Sequence, residues 1–216
     1  MASSTTSSVP DTLLHQVTDY VRKYMANYDG SHDFNHIERV HHLAQLIHSS
    51  EYSPENPTDA SVVSLCALLH DVGDKKYLRA GENPETMVRD VLVGFGAGAE
   101  LAERVQTICL GVSYSSEIKD PDKVKRLIAA YPELAVVQDA DRLDAIGAVG
   151  IGRAFAFGGA KARTLENTLD HFNEKLLLLE GMMKTETGRK LAKERSERLR
   201  MFASWWQSET KIVGDL

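Results

Sequence analysis

A run of apolar residues that ends in a histidine and two carboxylates constrains the fold of this chain more than any other feature. Residues 65–77 read Leu-Cys-Ala-Leu-Leu-His-Asp-Val-Gly-Asp-Lys-Lys-Tyr, and the first five have the composition of a core helix. Burying His70 and Asp71 beside Leu68 and Leu69 is unfavourable unless a partner compensates them. A bound cation compensates an imidazole and a carboxylate together, so the sequence predicts that both are metal ligands. The alternative is a polar cluster in which Asp71 holds a structural histidine.

Composition places the chain among ordinary globular proteins. Its 216 residues are 43% hydrophobic and 26% charged, which is enough to bury one sizeable core. The net charge of −6 argues against a nucleic acid polymer as partner, because binding to a phosphate backbone needs a concentrated basic face. No apolar run approaches the roughly 20 residues that span a bilayer. We therefore expect no membrane partner and a cytoplasmic location, with Cys66 and Cys109 as free thiols.

The order of the sequence patterns predicts an all-α protein with a single domain. Residues 1–10 are rich in Ser and Thr and are expected to be disordered, whereas residues 11–216 carry helical periodicity. We expect a metal-binding core at about residues 31–150 and C-terminal helices at residues 164–209. A loop with solvated acids is expected between Ser113 and Pro121. The glycine-rich residues 150–162 indicate either a mobile flap or a plain connecting loop.

Helical geometry, at 100° per residue, identifies the histidine that faces the core in the helix preceding this run. His36 lies within about 40° of Val40, Leu43 and Ile47, so it shares their apolar stripe. The same angles turn the other histidines of that helix away from the stripe: His41, His42 and His48. His32 lies one turn earlier, where it could contact either the metal ligands or a substrate.

The same helical angles distinguish the directions of three aspartates in a later helix. Asp141 lies at the centre of the inward apolar stripe, and Asp139 points about 160° away, as a helix cap or a surface partner would. Asp144 lies about 60° from the centre, where it could support a ligand or face a substrate. Asp141 is therefore the candidate ligand. The alternative for Asp141 taken alone is a buried ion pair with Arg142 or Arg153.

Three separate helices thus each place residues of metal-ligand type in the core. The order His … His-Asp … Asp, formed by His36, His70, Asp71 and Asp141, resembles the HD-domain superfamily of metal-dependent phosphohydrolases. The resemblance is closer still to a subfamily of small stand-alone HD hydrolases. That closer likeness covers nearly the whole chain from Ser31 and rests on five segments: residues 31–40, 67–75, 138–148, 171–177 and 185–189.

The resemblance implies a single-domain, all-α HD-type helical bundle that binds one divalent transition metal. It also implies hydrolysis of phosphate esters or anhydrides, with a nucleotide as the expected small-molecule substrate. Members with two metals carry an extra histidine pair before the last aspartate, whereas this chain has no histidine between His70 and His171. Mixed N/O ligation suits Mn²⁺, Fe²⁺, Co²⁺ or Zn²⁺. Among the divalent transition metals we expect Mn²⁺, with Fe²⁺, Co²⁺, Zn²⁺ or Ni²⁺ as alternatives.

Asp74 occupies the position where many HD hydrolases place an acidic residue that orients the nucleophile, so it is the catalytic candidate. Further residues are expected to contact the substrate or its phosphates: His32, Arg39, Lys75, Lys76, Asp144, Arg153, Lys161, His171 and Lys175. Two other functions remain open. An HD scaffold can host non-phosphoryl chemistry, such as hydration of a small nitrile or an oxidative cleavage, or it can bind a ligand without turnover. The sequence also leaves open whether the protein is a monomer or a homodimer.

Overall fold

The structure is a computed structural model that describes residues 9–55, 57–75 and 78–214, with side chains up to residue 211. Residues 1–8 of the segment that is expected to be disordered lie outside these ranges. Across the described residues, eleven α-helices and one 3-10 helix follow one another. The all-α prediction is therefore confirmed.

The helices have the following bounds in chain order: α1 (Asp11–Tyr24), α2 (Phe34–Glu51), α3 (Ala60–Leu69), α4 (Met87–Gly94), α5 (Ala99–Val112), α6 (Tyr114–Lys119), α7 (Pro121–Ala130), α8 (Glu133–Asp144), α9 (Gly147–Ala160), α10 (Leu165–Glu174), the 3-10 helix Leu176–Met182, and α11 (Glu186–Gly214).

The apolar helix α3 lies at the centre of the bundle, surrounded by α1, α2, α5 and α8. Every residue from Val62 to Leu69 is buried, which explains why the sequence shows no polar face here. Asp59 caps the helix by accepting hydrogen bonds from the backbone N–H groups of Ser61 and Val62. The apolar run therefore forms a core helix, and His70 follows at its C-terminal end.

The chain turns sharply after the His-Asp pair. Gly73 has a φ of 84°, and a Cβ on it would lie 3.2 Å from the Cα of Pro84, so a side chain there would be strained. The backbone N–H of Asp74 donates to the Asp71 carbonyl at 3.2 Å. The turn therefore keeps Asp74 close to the pair, although the helix does not continue to Asp74.

The glycine-rich residues 150–162 are neither a flap nor a loop, because most of them belong to α9. Phe155 of this helix packs against Phe172 of α10 and against Phe202 and Trp206 of α11. Glycine lowers helix propensity by about 1 kcal/mol per residue. Packing against neighbouring helices supplies most helical stability in proteins, and here it outweighs that cost.

The expected loop between Ser113 and Pro121 is also wrong, because residues 114–119 form α6. Its acid Glu117 is not solvated: the carboxylate accepts hydrogen bonds from Arg142 and from Lys184. Glu117 thereby connects α6 to α8 and to the segment that precedes α11. Periodicity over six residues is too short to distinguish such a helix from a loop.

Within the described part of the chain, no single helix is both long and apolar enough to cross a bilayer. Helices α8 and α9 reach the required length and composition only as a pair, and a bend of 70° separates them.

Candidate metal centre

Helices α2, α3 and α8 pack against one another and bring the four predicted ligands together. His36 lies in the first turn of α2, where Asp33 caps the helix by accepting a hydrogen bond from the His36 N–H. His70 and Asp71 directly follow α3, and Asp141 lies in the last turn of α8. Ligand atoms of His36, His70 and Asp71 all lie within 4.8 Å of one another.

The two imidazoles face each other through their Nε2 atoms, which lie 3.3 Å apart. His36 Nδ1 donates to the carboxylate of Asp144 at 2.8 Å, and His70 Nδ1 donates to the carbonyl of Ala67 at 2.8 Å. A carboxylate and a carbonyl only accept hydrogen bonds, so each neutral ring carries its proton on Nδ1. Both Nε2 lone pairs therefore point into the same space.

Two carboxylates complete this space. Asp141 Oδ1 lies 3.6 Å from His36 Nε2 and 3.8 Å from His70 Nε2. Asp71 Oδ2 lies 3.4 Å from His36 Nε2, yet it is buried and accepts no hydrogen bond. Two imidazole lone pairs and two carboxylates thus converge on one space, and no single hydrogen-bond donor among the described residues satisfies all four groups. A divalent cation fits this set of nitrogen and oxygen ligands. The side chain of Asp141 is 26% exposed, so the centre opens to solvent on that side.

The electrostatics of the centre reflect this crowding of acceptors. Burial opposes a proton on His36, but its contacts with Asp144 and Asp71 raise the pKa of His36 above its ordinary value. Burial likewise opposes a charge on Asp71, but His70 and His36 hold its pKa well below the ordinary range. Asp71 is therefore ionised at neutral pH, as a metal ligand must be.

Three of the residues that the sequence predicts to contact substrate lie behind His36: Arg39, Asp144 and Arg153. Arg39 donates through Nε to Asp144 Oδ1 at 2.7 Å and through a terminal nitrogen to Oδ2 at 3.0 Å. A terminal nitrogen of Arg153 lies 3.2 Å from Asp144 Oδ2, while its Nε donates to the Ser31 carbonyl at 2.7 Å. Burial opposes ionisation of Asp144, but His36, Arg39 and Arg153 hold its pKa well below the ordinary range.

His32 lies beside His36, and two cations lie beyond it around the ring of Phe157. The His32 ring is 6.2 Å from the His36 ring and 5.9 Å from the ring of Phe157. Lys161 and Arg163 each place their charge 5.6 Å from the centre of the same Phe157 ring. A continuous series of contacts thus leads from the proposed ligands to these two cations.

Further candidates lie on α10 and after α3. Burial lowers the pKa of His171, and the charges of Lys175 and Arg163 lower it further. The ammonium of Lys175 also lies 4.8 Å above the ring of Tyr114. Asp74 is half-buried and Lys75 is exposed. Lys76 lies outside the described residues.

Sequence reasoning missed several residues that hold this region together. Ser31 accepts a hydrogen bond from Arg153 through its carbonyl, and its hydroxyl contacts Nδ1 of His32 at 2.7 Å. That hydroxyl also donates to Asp29, so it accepts from His32. Tyr114 lies in a segment for which the sequence predicts a loop, so no helical pattern marks it as a site residue. For Ser31 the signal was its place beside His32 in a turn rich in Asp, Gly and Ser.

Comparison with known proteins agrees with this geometry. Residues 33–146, which contain all four proposed ligands, match the HD domain. The chain belongs to the HD domain family. It is similar to the Uncharacterized protein YpgQ of Bacillus subtilis (strain 168), with 39% identity over 203 residues, which covers 92% of this chain and 93% of YpgQ.

Two solved structures that resemble this fold illustrate the likeness. The crystal structure of YpgQ in complex with ADP matches with a TM-score of 0.73 and 36% identity, covering 91% of this chain and 94% of that one. An HD-superfamily hydrolase from Bacillus thuringiensis matches with a TM-score of 0.67 and 28% identity, covering 92% and 96%. The HD-type bundle expected from the sequence is thereby confirmed.

Proposed function

We propose that this HD-domain protein is a metal-dependent phosphohydrolase that acts on a small phosphorylated metabolite, and that the metabolite is a nucleotide. The observation that carries the proposal is the convergence of two Nε2 lone pairs and two carboxylates on one space that opens to solvent. The complex of YpgQ with ADP supports the nucleotide, because that protein shares 36% of its sequence with this chain.

His36, His70, Asp71 and Asp141 would hold one divalent ion, for which Mn²⁺ is our first choice. When bound, such an ion supplies Lewis acidity toward a phosphoryl group and toward the attacking water. Asp74 lies one turn beyond Asp71 and is assigned the role of orienting that water and accepting its proton. The His32 ring lies 6.2 Å from the His36 ring, and we assign to it a contact with a phosphoryl oxygen.

We infer that the cations beyond His32 fit an anionic substrate. Lys161 and Arg163 lie in the segment between α9 and α10, His171 lies on α10, and Lys175 directly follows that helix. Lys161 and Arg163 lie against the same Phe157 ring, and burial together with the charges of Lys175 and Arg163 lowers the pKa of His171. We assign to them the neutralisation of substrate phosphates, which would raise the local concentration of an anionic ligand.

The experiment is a screen of nucleoside mono-, di- and triphosphates with Mn²⁺, in which chromatography separates the nucleotide products and a colorimetric assay detects phosphate and pyrophosphate. Small nitriles are included as uncharged substrates. Release of phosphate or pyrophosphate from nucleotides supports the proposal. A flat response across nucleotides with turnover of a nitrile contradicts it, and ADP binding without any turnover would indicate a binding protein.

We also propose a cytoplasmic location and either a monomeric or a homodimeric state. A cytoplasmic location would supply nucleotides and keep Cys66 and Cys109 reduced. The active centre is built from α2, α3 and α8 of one chain, so a monomer or a homodimer would serve equally.

A further inference from the structure

Asp144 connects the two sides of the metal centre. It lies on α8, three residues after the proposed ligand Asp141, and its carboxylate reaches the Nδ1 of His36 on α2 at 2.8 Å. Only 1% of the Asp144 side chain is exposed. Helix α8 thus supplies the proposed ligand Asp141, and through Asp144 it also contacts the Nδ1 of His36, the ring atom that faces away from the metal centre.

Two arginines fix the carboxylate of Asp144 in this orientation. Arg39 forms a bidentate pair with both oxygens, at 2.7 and 3.0 Å, and it lies one turn after His36 on the same helix. Arg153 approaches from α9 at 3.2 Å. A bidentate guanidinium pair restricts rotation of a carboxylate, and a second cation restricts it further.

The hydrogen bonds of these residues are directed into the protein. The Nε of Arg153 donates to the carbonyl of Ser31, whose hydroxyl in turn contacts His32. Arg153 therefore holds the orienting carboxylate of His36 and also the turn that carries His32. The donors that Arg39 and Arg153 direct at Asp144 and Ser31 are not available to a phosphate while these bonds persist.

We propose that Asp144 is a positioning residue of the metal centre, and that Arg39 and Arg153 hold it in place rather than bind substrate phosphate. Asp144 keeps the His36 proton on Nδ1 and directs the Nε2 lone pair toward His70 and Asp71. Carboxylates that orient metal-binding histidines commonly change metal affinity by about 10- to 100-fold. The inference rests on the proposed function only in requiring that the centre binds a metal.

The test measures the affinity of chelator-stripped protein for Co²⁺ by competition with a chromophoric chelator, without substrate. Asp144→Asn keeps the shape of the side chain but presents an amide to His36 and to two arginines. We expect its Co²⁺ affinity to fall about 10- to 100-fold. Asp139→Asn is the matched control, because Asp139 is equally buried on α8 but contacts Lys184 and Thr185.

Thermal unfolding of both metal-free variants separates a loss of positioning from a loss of fold. If Asp144→Asn does not fold, Arg39→Gln and Arg39→Lys replace it. The proposal then requires weaker Co²⁺ binding in both, since lysine cannot form the bidentate pair. Wild-type Co²⁺ affinity in these variants, or an equal loss in folded Asp139→Asn, overturns the proposal.

Kinetics at saturating metal distinguish positioning from phosphate binding. Arg153→Gln is expected to weaken Co²⁺ binding and to leave KM for the best nucleotide within about twofold, because the arginine donates to Asp144 and Ser31. A raised KM with unchanged Co²⁺ affinity overturns the proposal. Failure of the wild-type protein to hydrolyse nucleotides would refute the proposed function but would leave the Co²⁺ result unaffected.

Discussion

Asp139 and Asp141 lie two residues apart on α8 and point to opposite sides of the helix. Asp141 Oδ1 lies 3.6 Å from His36 Nε2, whereas Asp139 accepts hydrogen bonds from the backbone N–H groups of Lys184 and Thr185, at 2.9 and 2.8 Å. Asp139 therefore fixes the two residues that precede α11, while the hydroxyl of Thr185 accepts from the Gly188 N–H in the first turn of that helix. Asp139 does so from the interior rather than from the surface.

The two aspartates should respond differently to removal. Asp141→Ala is expected to lose bound metal and activity while keeping most of its thermal stability. Asp139→Ala should keep the metal but lose about 1–3 kcal/mol for each backbone donor left without an acceptor. Metal analysis and thermal unfolding on the same preparations check both results. Normal metal content in Asp141→Ala, with loss of metal in Asp139→Ala, would show that the ligand lies on the opposite face of α8.

Gly188 lies in the first turn of α11 beside the Asp139 carboxylate, so it tests the contact between α11 and Asp139. A Cβ at this position would lie 2.2 Å from Asp139 Oδ2, so Gly188→Ala should destabilise the protein by roughly 1–3 kcal/mol. Gly152→Ala is the control, because no atom lies within 4 Å of the corresponding position in α9. This control should be neutral or slightly stabilising. Chemical denaturation measures both, and equal stability of the two variants would contradict the packing of α11 on Asp139.

Regular helical geometry explains which parts of the centre were predictable. His36 is buried while His42 is exposed, as angles of 100° per residue predict. The opposed directions of Asp139 and Asp141 follow from the same rule. These predictions depend only on position within one helix, and α2 and α8 are regular helices.

Other features depend on how helices that are distant in sequence pack together, and the hydrophobic periodicity of one helix carries no information about that packing. Arg39 and Arg153 meet Asp144 because α2, α8 and α9 converge, whereas the sequence predicts both arginines as cations near a phosphate and offers Arg153 also as an ion-pair partner of Asp141. The glycines of residues 150–162 predict a flap or a loop, but these residues form most of α9, which the aromatic contacts of Phe155 stabilise. Tertiary packing overrode local propensity at this segment.

The lysines that directly follow α9 and α10 should affect substrate binding without affecting the metal. Replacing Lys161 and Lys175 together by Gln is expected to raise KM for the best nucleotide about tenfold or more, because two charges assigned to the substrate phosphates are lost. Metal content should not change. Replacing Lys190 and Lys193 together by Gln, on the exposed surface of α11, is the charge-matched control. Wild-type kinetics in the double variant would make these lysines ordinary surface residues.

Asp74 separates a catalyst from a protein that only holds a metal. Asp74→Asn is nearly isosteric and leaves the four proposed ligands untouched, so the fold and metal content should be retained. We expect kcat to fall by roughly 10²- to 10⁴-fold, the usual contribution of a positioned acid–base group. If Asp74 only stabilises the turn after Gly73, the melting temperature should fall and kcat should change little. Measuring kcat, metal content and melting temperature together decides between these roles.

The most direct test of a one-metal hydrolase is a titration of chelator-stripped protein with Mn²⁺ in the presence of the best nucleotide. Bound metal and product release are measured on the same samples. We predict that turnover is absent without metal, rises in proportion to the metal bound, and reaches its maximum at one ion per chain. Full turnover in the stripped protein, or full metal binding with no turnover of any phosphorylated substrate, would contradict the account.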